Sequence, residues 1–312
     1  MKTGIFLLNM GGPDSIEAIA PFLYNLFSDP EILKFPLSRW LQRPLASAIS
    51  KRRAKKVAAQ YEAMGGKSPL PGITAAQAKA LAEKLGEDYE VFVTMRYWHP
   101  RAEEAVRRAK EAGIGRVVVL PLYPHYCRAT TGTSIADLEE ALEKGGLGGL
   151  PKTVIRSWQD FPPYLDALAE SLREAMEGAG ETTILFSAHS VPVSVIEGGD
   201  PYLDHIKATV AGVMERFPGK KHLLAFQSRA GPVKWLAPSM EEALRSLAKE
   251  GVKDVTVVAV SFVSDHIETL REIDVEYREL AHSLGITGFR RAPSLNVRPD
   301  FISALELLAR GA

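Results

Sequence analysis

The chain has 312 residues and a mass of 34.1 kDa, enough for two domains with their own cores. Apolar residues make up 46% and charged residues 24%, the make-up of an ordinary globular protein. Lys+Arg and Asp+Glu are both 38, so no global field draws the chain to nucleic acid or to an anionic surface. The single cysteine, Cys127, rules out an internal disulfide, a Cys-rich zinc site and a four-Cys iron–sulfur cluster built by one chain alone.

The N-terminal apolar stretch ends at Gly11-Gly12-Pro13, too short for a signal core or a membrane span. A cytoplasmic protein is expected, with any membrane contact peripheral. Strands are expected in chain order at Thr3–Asn9, Tyr89–Met95, Arg116–Pro121, Thr153–Arg156, Thr182–Ala188, Leu223–Gln227 and Val255–Phe262. Amphipathic helix patterns lie between them. Continuous apolar strands joined by helices make parallel sheets covered on both faces, and ligands bind beyond the carboxyl ends of such strands.

The first strand leads into "NMGGP", where paired glycines allow close backbone approach to a flat or charged ligand. G-G-P is not a dinucleotide fingerprint, and no phosphate loop is present. Next come Phe22, Leu23, Leu26, Phe27, Ile32, Leu33, Phe35, Leu37, Trp40 and Leu41, too many apolar residues for an exposed excursion. Lys51, Arg52, Arg53, Lys55 and Lys56 follow as a basic cluster, with Tyr61 and Ser68 beyond. An apolar lip followed by a basic run fits a greasy ligand with carboxylate arms. It fits peripheral membrane contact too, or simply a solvated helix face. RNA is disfavoured by the neutral charge balance.

An internal repeat organises the rest. "EEAVRRAKEAGIGRVVVLPLYP" (103–124) matches "EEALRSLAKEGVKDVTVVAVSF" (241–262), "IFLLNMGGP" (5–13) resembles "ILFSAHSVP" (184–192), and "VTMRYWHP" (93–100) resembles "AFQSRAGP" (225–232). The last match pairs Pro100 with Pro232 and leaves about 47 extra residues in the first half, where the apolar and basic segment sits. Two similar α/β domains with a lid inserted in the first are expected.

His189, at the exit of an apolar strand, is placed to bind metal or accept a proton; as a structural histidine it would instead bond a loop carbonyl. None of the seven histidines has zinc-site spacing. In "VSFVSDHIETLREIDVEY" (260–277), Glu268, Glu272 and Glu276 fall at i, i+4 and i+8 and form one acidic stripe on a regular helix. A folding-only reading has Asp265 cap that helix and Glu268 complete a capping box. It leaves Glu272 and Glu276 to a solvated face or to a divalent cation such as Fe²⁺, which accepts carboxylate and imidazole together.

Taken together, "LLNMGGP" (7–13), "KRRAKK" with "QYEAMGGKSPL" (51–70), "RYWHP" (96–100), "LPLYPHYCRATTGTS" (120–134), "FSAHSVP" (186–192), "QSRAGPVKWLAP" (227–238) and "VSFVSDHIETLREIDVEY" (260–277) resemble the ferrochelatases over nearly the whole chain. The resemblance implies a chelatase fold: two Rossmann-like domains, each a parallel four-stranded sheet flanked by helices, with the active-site cleft between them. Residues 1–152 plus 296–312 would form the N-terminal domain, with a lid at about 20–69 and a returning C-terminal helix, and 153–295 the second domain.

The implied activity is insertion of Fe²⁺ into protoporphyrin IX to give protohaem. Alternatives are coproporphyrin III as substrate, a different tetrapyrrole or metal, and a non-catalytic porphyrin or haem carrier. By position, His189 and Glu268 match the metal and proton-transfer residues, with Glu268 on the opposite face of the macrocycle. Glu272, Glu276 and His266 match further cleft groups. Met10, Arg96, Tyr97, Ser228 and Trp235 match porphyrin contacts and pocket wall, and Arg53, Lys56, Tyr61 and Ser68 match the propionate-binding mouth. The helix at Glu268 is expected to be locally widened to a π form. No permanent cofactor, iron–sulfur cluster or nucleic-acid partner is expected; iron and porphyrin are substrates, and the chain is a monomer or homodimer.

Overall fold

The computed structural model describes residues 1–33, 39–229, 231 and 233–312. The sequence assignments at Phe35, Leu37, Ala230 and Pro232, and those on the side chains of Trp40 and Leu41, lie outside the described residues. The chain divides into two compact units, one of Met1–Tyr123, Cys127–Arg156 and Leu305–Ala312, the other of Pro124–Tyr126 and Ser157–Ala304.

In the first unit β1 (Thr3–Asn9), β2 (Tyr89–Met95), β3 (Arg116–Pro121) and β4 (Lys152–Val154) form a parallel sheet in the order β2-β1-β3-β4. Ile5 to Leu8 are fully buried, as a central strand covered on both faces requires. Its helices are α1 (Ile19–Ser28), α2 (Arg39–Ala63), α3 (Leu70–Leu85), α4 (Ala102–Glu111) and α5 (Thr133–Gly145), with a π turn at Arg128–Gly132. No helix of the described residues is long and apolar enough to cross a membrane.

In the second unit β5 (Thr183–His189), β6 (His222–Gln227), β7 (Asp254–Ala259) and β8 (Gly288–Arg291) repeat that order as β6-β5-β7-β8, again parallel. Helices α6 (Pro162–Met176), α7 (Val193–Glu197), α8 (Tyr202–Met214), α9 (Met240–Lys249) and α10 (Arg278–Ser283) accompany it, with a π-helix at Glu268–Tyr277, while α11 (Pro299–Gly311) starts in this unit and belongs to the first from Leu305 on. The internal repeat is therefore a repeat of topology.

Its register needs one correction. Met95 N donates to Pro100 O at 2.7 Å, and Phe226 N donates to Pro238 O at 2.9 Å. Helix α4 begins two residues after Pro100, and α9 two residues after Pro238. Pro238, not Pro232, is thus the counterpart of Pro100. The paired glycines are also explained from within the chain. Gly11 has φ +87°, and a Cβ on Gly12 would lie 2.5 Å from Ser68 Oγ. The close approach they permit is to the protein itself.

Pro124–Tyr126 belongs to the second unit through His125, which is buried. Thr209 Oγ1 donates to Gln159 O at 2.6 Å, so it accepts from His125 Nε2 at 2.9 Å, and the ring carries its proton on Nε2. Burial, followed by the nearby His205, pushes His125 down to about 3. Such a ring refuses a proton that the unfolded chain accepts below about 6.5. Its stabilisation is complete above that pH and is lost as pH falls from there toward 3. At pH 5 the loss from this group alone reaches about 2 kcal/mol. We expect the urea midpoint of wild type to fall more between pH 7.5 and pH 5 than that of His125→Gln. Equal falls would remove His125 as the acid-sensitive group.

Candidate active site

His189 is the last residue of β5, paired in register with Gln227 of β6. On the other side β7 stops at Ala259, opposite Ser187, so the chain leaves the sheet before it reaches His189. It turns through Ser261–His266 and enters the π-helix Glu268–Tyr277. The turn brings Glu268 Oε2 to 2.8 Å from His189 Nδ1.

A π-helix bonds i to i+5, which brings residues five apart to one side. Tyr277 donates to Glu272 at 2.9 Å and Arg271 to Glu276 at 3.2 Å, both at that spacing. The acidic stripe is divided by its partners. Glu268 and Glu272 share Ser228, whose Oγ lies 3.2 Å from one carboxylate and 2.5 Å from the other. Glu276 is exposed and paired with Arg271.

Glu272 collects further donors: Ser228 N at 2.9 Å and Gln227 Nε2 at 3.2 Å. The Gln227 amide is oriented by Ser187 Oγ, which donates to its Oε1, and both residues are fully buried. Ser228 has φ +64°, a strained region for a residue with a Cβ, and its backbone N–H is aimed at Glu272.

Electrostatics make His189 and Glu268 an ion pair. Burial works against the charged ring, but the Glu268 charge and hydrogen bond, with Glu272 behind them, raise His189 above its ordinary range. Burial alone would raise Glu268, yet the charge and hydrogen bond of His189 bring it down to about 2. Glu272 moves up, through burial and the Glu268 charge, although Ser228 and Tyr277 bond its charged form. His266 is lowered by burial despite Glu268, whose Oε2 lies 3.9 Å from its Nε2; neither ring nitrogen has a hydrogen-bond partner. Phe262 packs beside both rings, with centroids 4.2 Å from His266 and 6.1 Å from His189.

Two expectations are corrected here. Glu268 does not face His189 across a macrocycle. A flat ring between them needs about 3.5 Å of contact distance on each side, and they are hydrogen-bonded at 2.8 Å. Nor do Asp265 and Glu268 form a capping box. The π-helix has no side-chain cap, and Asp265 accepts instead from Thr269, Ser294 and Asn296 side chains and pairs with Arg291 at 3.0 Å. Arg291 also holds Asp274 at 2.8 Å, so one nearly buried guanidinium pins the entry and the middle of the π-helix.

Trp235 is half-buried and forms a β-bridge with Pro192, three residues beyond His189; its indole N–H has no hydrogen-bond partner. The remaining expected residues lie in the first unit. Met10 is half-buried. Arg53 and Lys56 are exposed on α2, with Arg53 5.7 Å above the Phe27 ring. Tyr61 and Ser68 are buried. Arg96 and Tyr97 both bond Asp29, at 2.8 and 3.0 Å, so their polar ends are committed within the protein.

Among the described residues no group of three or more His, Cys, Asp or Glu converges as a ready metal site. Ser187, Gln227, Tyr202, Ser261 and Tyr277 escape sequence reading. Ser187, Gln227, Ser261 and Tyr277 fall inside the motif stretches without standing out from their neighbours, Tyr202 falls outside them, and only the folded chain brings them to His189 and Glu272.

The family model described as ferrochelatase matches residues 2–312. A ferrochelatase of Geobacter metallireducens is 52% identical over 314 residues, covering 100% of this chain and 98% of its own length. A ferrochelatase of Aquifex aeolicus is 48% identical, covering 99% of each. Among solved structures, SirB from Bacillus subtilis with Fe³⁺ superposes with a TM-score of 0.60 at 12% identity, covering 99% of this chain and 95% of that one. That likeness is one of fold.

Glu268→Gln tests the charge pair directly. The carboxylate is what lifts His189 against burial, so its removal should move the His189 pKa downward in a proton NMR titration. A pKa that stays raised would mean that some other group charges the ring.

Proposed function

The chain belongs to the ferrochelatase family, and we propose that it acts as a lyase inserting Fe²⁺ into protoporphyrin IX, with His189 and Glu268 as the metal- and proton-handling centre. The observation that carries this site is the 2.8 Å imidazole–carboxylate pair at the open end of a parallel sheet.

Insertion requires that pyrrole protons leave, that the ion shed water, and that the nitrogens tilt toward it. His189 Nδ1 is committed to Glu268, which leaves Nε2 as the atom that meets metal or a pyrrole proton. While the pair is charged Nε2 holds a proton, so metal binding there releases that proton. In the neutral form of the pair the unprotonated Nε2 takes a pyrrole proton, and Glu268 stabilises the imidazolium that results. Glu272, raised and joined to Glu268 through Ser228, is the next acceptor along the route. His266 supplies a neutral imidazole 3.9 Å from Glu268. Imidazole and carboxylate are donors that Fe²⁺ accepts and that Zn²⁺ binds more tightly, so zinc insertion in vitro is expected.

Arg53 and Lys56, exposed on α2, are assigned to the propionates. Trp235 and Ser228 flank the macrocycle. Tyr61 and Ser68 are assigned to the mouth with Arg53 and Lys56, and Met10, Arg96 and Tyr97 shape the wall, Arg96 and Tyr97 through their hold on Asp29. Iron enters as substrate. With Cys127 as its one cysteine, the chain by itself has too few thiolates for a four-Cys cluster.

The test is an anaerobic insertion assay with Fe²⁺ and Zn²⁺, run on protoporphyrin IX and coproporphyrin III. His189→Ala and Glu268→Gln should each lower kcat by roughly 10²–10⁴-fold and leave porphyrin binding intact. Full activity in either variant removes that residue from its role. Binding without turnover in wild type would indicate a carrier, and preference for coproporphyrin III would change the substrate. Reversing both charges at Arg53 and Lys56 should raise the porphyrin KM about tenfold, equivalent to about 1.4 kcal/mol. An unchanged KM would make the basic run a solvated face.

A further inference from the structure

The His189 backbone is held by a closed ring of hydrogen bonds that belongs to no strand. In β5, alternate residues turn their N–H and C=O toward β7, and Ser187 is the last to find it: Val260 N donates to Ser187 O at 3.0 Å. His189 faces the same side, but β7 has ended at Ala259. Unpaired buried backbone groups cost as much as lost hydrogen bonds. Here side chains replace the missing rung. His189 N donates to Ser261 Oγ at 3.0 Å, and Tyr202 OH donates to His189 O at 2.9 Å.

The donor directions follow from counting protons. The Tyr202 hydroxyl has one proton, and the His189 carbonyl can only accept it. The 2.7 Å contact between Tyr202 and Ser261 is therefore Ser261 O–H donating to Tyr202 Oη. The ring runs one way, from His189 N–H to Ser261, to Tyr202, and back to His189 C=O. Chains of hydrogen bonds that each donate and accept polarise one another.

We propose that Ser261 and Tyr202 are positioning residues for His189. They stand in for the strand that turns away, so β7 can leave toward the π-helix while the His189 ring stays aimed at Glu268. Tyr202 is itself buried at the start of α8, with the His125 ring edge-on to it at 6.3 Å, so its hydroxyl is delivered from a fixed element. This role rests on the chelatase reading of His189.

Two measurements test it. In the insertion assay Tyr202→Phe, which keeps the ring and removes only the hydroxyl, and Ser261→Ala should each lower kcat by about tenfold or more, with the porphyrin KM within about twofold of wild type. Ser261→Thr, which restores the hydroxyl, should recover most of the loss. The double variant should be little worse than either single one, because one break opens the ring. In proton NMR, His189 should titrate at lower pH in Tyr202→Phe, as its hold on Glu268 loosens; the charged or titratable groups facing it are Glu268, Glu272 and His266.

Wild-type kcat in both single variants, a rise in KM at constant kcat, or losses that simply add would each overturn the proposal. If Tyr202→Phe does not fold, the Ser261→Ala and Ser261→Thr pair decides it alone. Should wild type insert no metal at all, the chelatase reading falls, while the NMR titration still decides whether the ring positions His189.

Discussion

At the open end of the second sheet an imidazole and a carboxylate stand 2.8 Å apart, and each favours the charged form of the other. The surrounding structure keeps them there. β7 ends early, which frees the chain to turn back and deliver Glu268. The π-helix sets Tyr277 rather than Glu276 beside Glu272. Arg291 of β8 grips Asp265 and Asp274, so the π-helix cannot slide along its axis without breaking a nearly buried ion pair. Ser228 is held in a strained conformation by the carboxylate it serves. Strain of this kind persists only where neighbours over-determine it, and here four donors converge on Glu272.

The pair carries a chemical tension. An imidazole raised above its ordinary range keeps its proton to higher pH than a free one, and a protonated ring neither binds metal nor accepts a proton. The charged pair is thus inactive at Nε2. A metal ion binds Nε2 only as that proton leaves, and on the deprotonated ring Glu268 acts in the opposite sense, as the charge that makes it a better proton acceptor. The neutral His266 and the upward-shifted Glu272 lie within reach of Glu268, so the displaced proton has neighbours that differ in affinity. Groups whose environments push their pKa values apart are what acid–base division of labour needs.

The sequence made much of this architecture legible and hid the rest for definite reasons. Seven strands were readable from their β-branched and apolar runs, although the last was read through to Phe262 and β7 ends at Ala259. β8 was not, because "GFRR" directs Arg290 to Asp254 and Arg291 to Asp274 instead of filling a core. His189 stood out as a titratable residue at the end of an apolar strand. Glu276 was misleading because spacing alone does not tell which acids of a stripe face the site: Glu268 and Glu272 meet at Ser228, whereas Glu276 is exposed and pairs with Arg271. Asp265 and Glu268 have capping-box spacing, yet tertiary partners claimed both carboxylates. Pro232 looked like the partner of Pro100 because the longer loop after β6 is invisible until backbone bonds fix the register. Ser261 and Tyr202 lie 72 and 13 residues from His189, and no local pattern links them to it.

The two repeats show how one scaffold gives different strand exits. Leu122 N to Leu8 O in the first unit is the counterpart of Val260 N to Ser187 O in the second, at 2.9 and 3.0 Å. Beyond that rung they diverge. In the first unit Asn9 O and Met10 O accept from the backbone of Arg96 and Tyr97, and Met10 N donates to the neighbouring Asn9 side chain. The exit is sealed by its own adjacent chain. In the second unit His189 N and O go to Ser261 and Tyr202, and Ser228 N goes to Glu272. Side chains from distant segments replace backbone partners, so the strand end stays extended while the neighbouring strand departs. That substitution is what lets an acidic π-helix reach the end of β5, and it follows from where β7 stops.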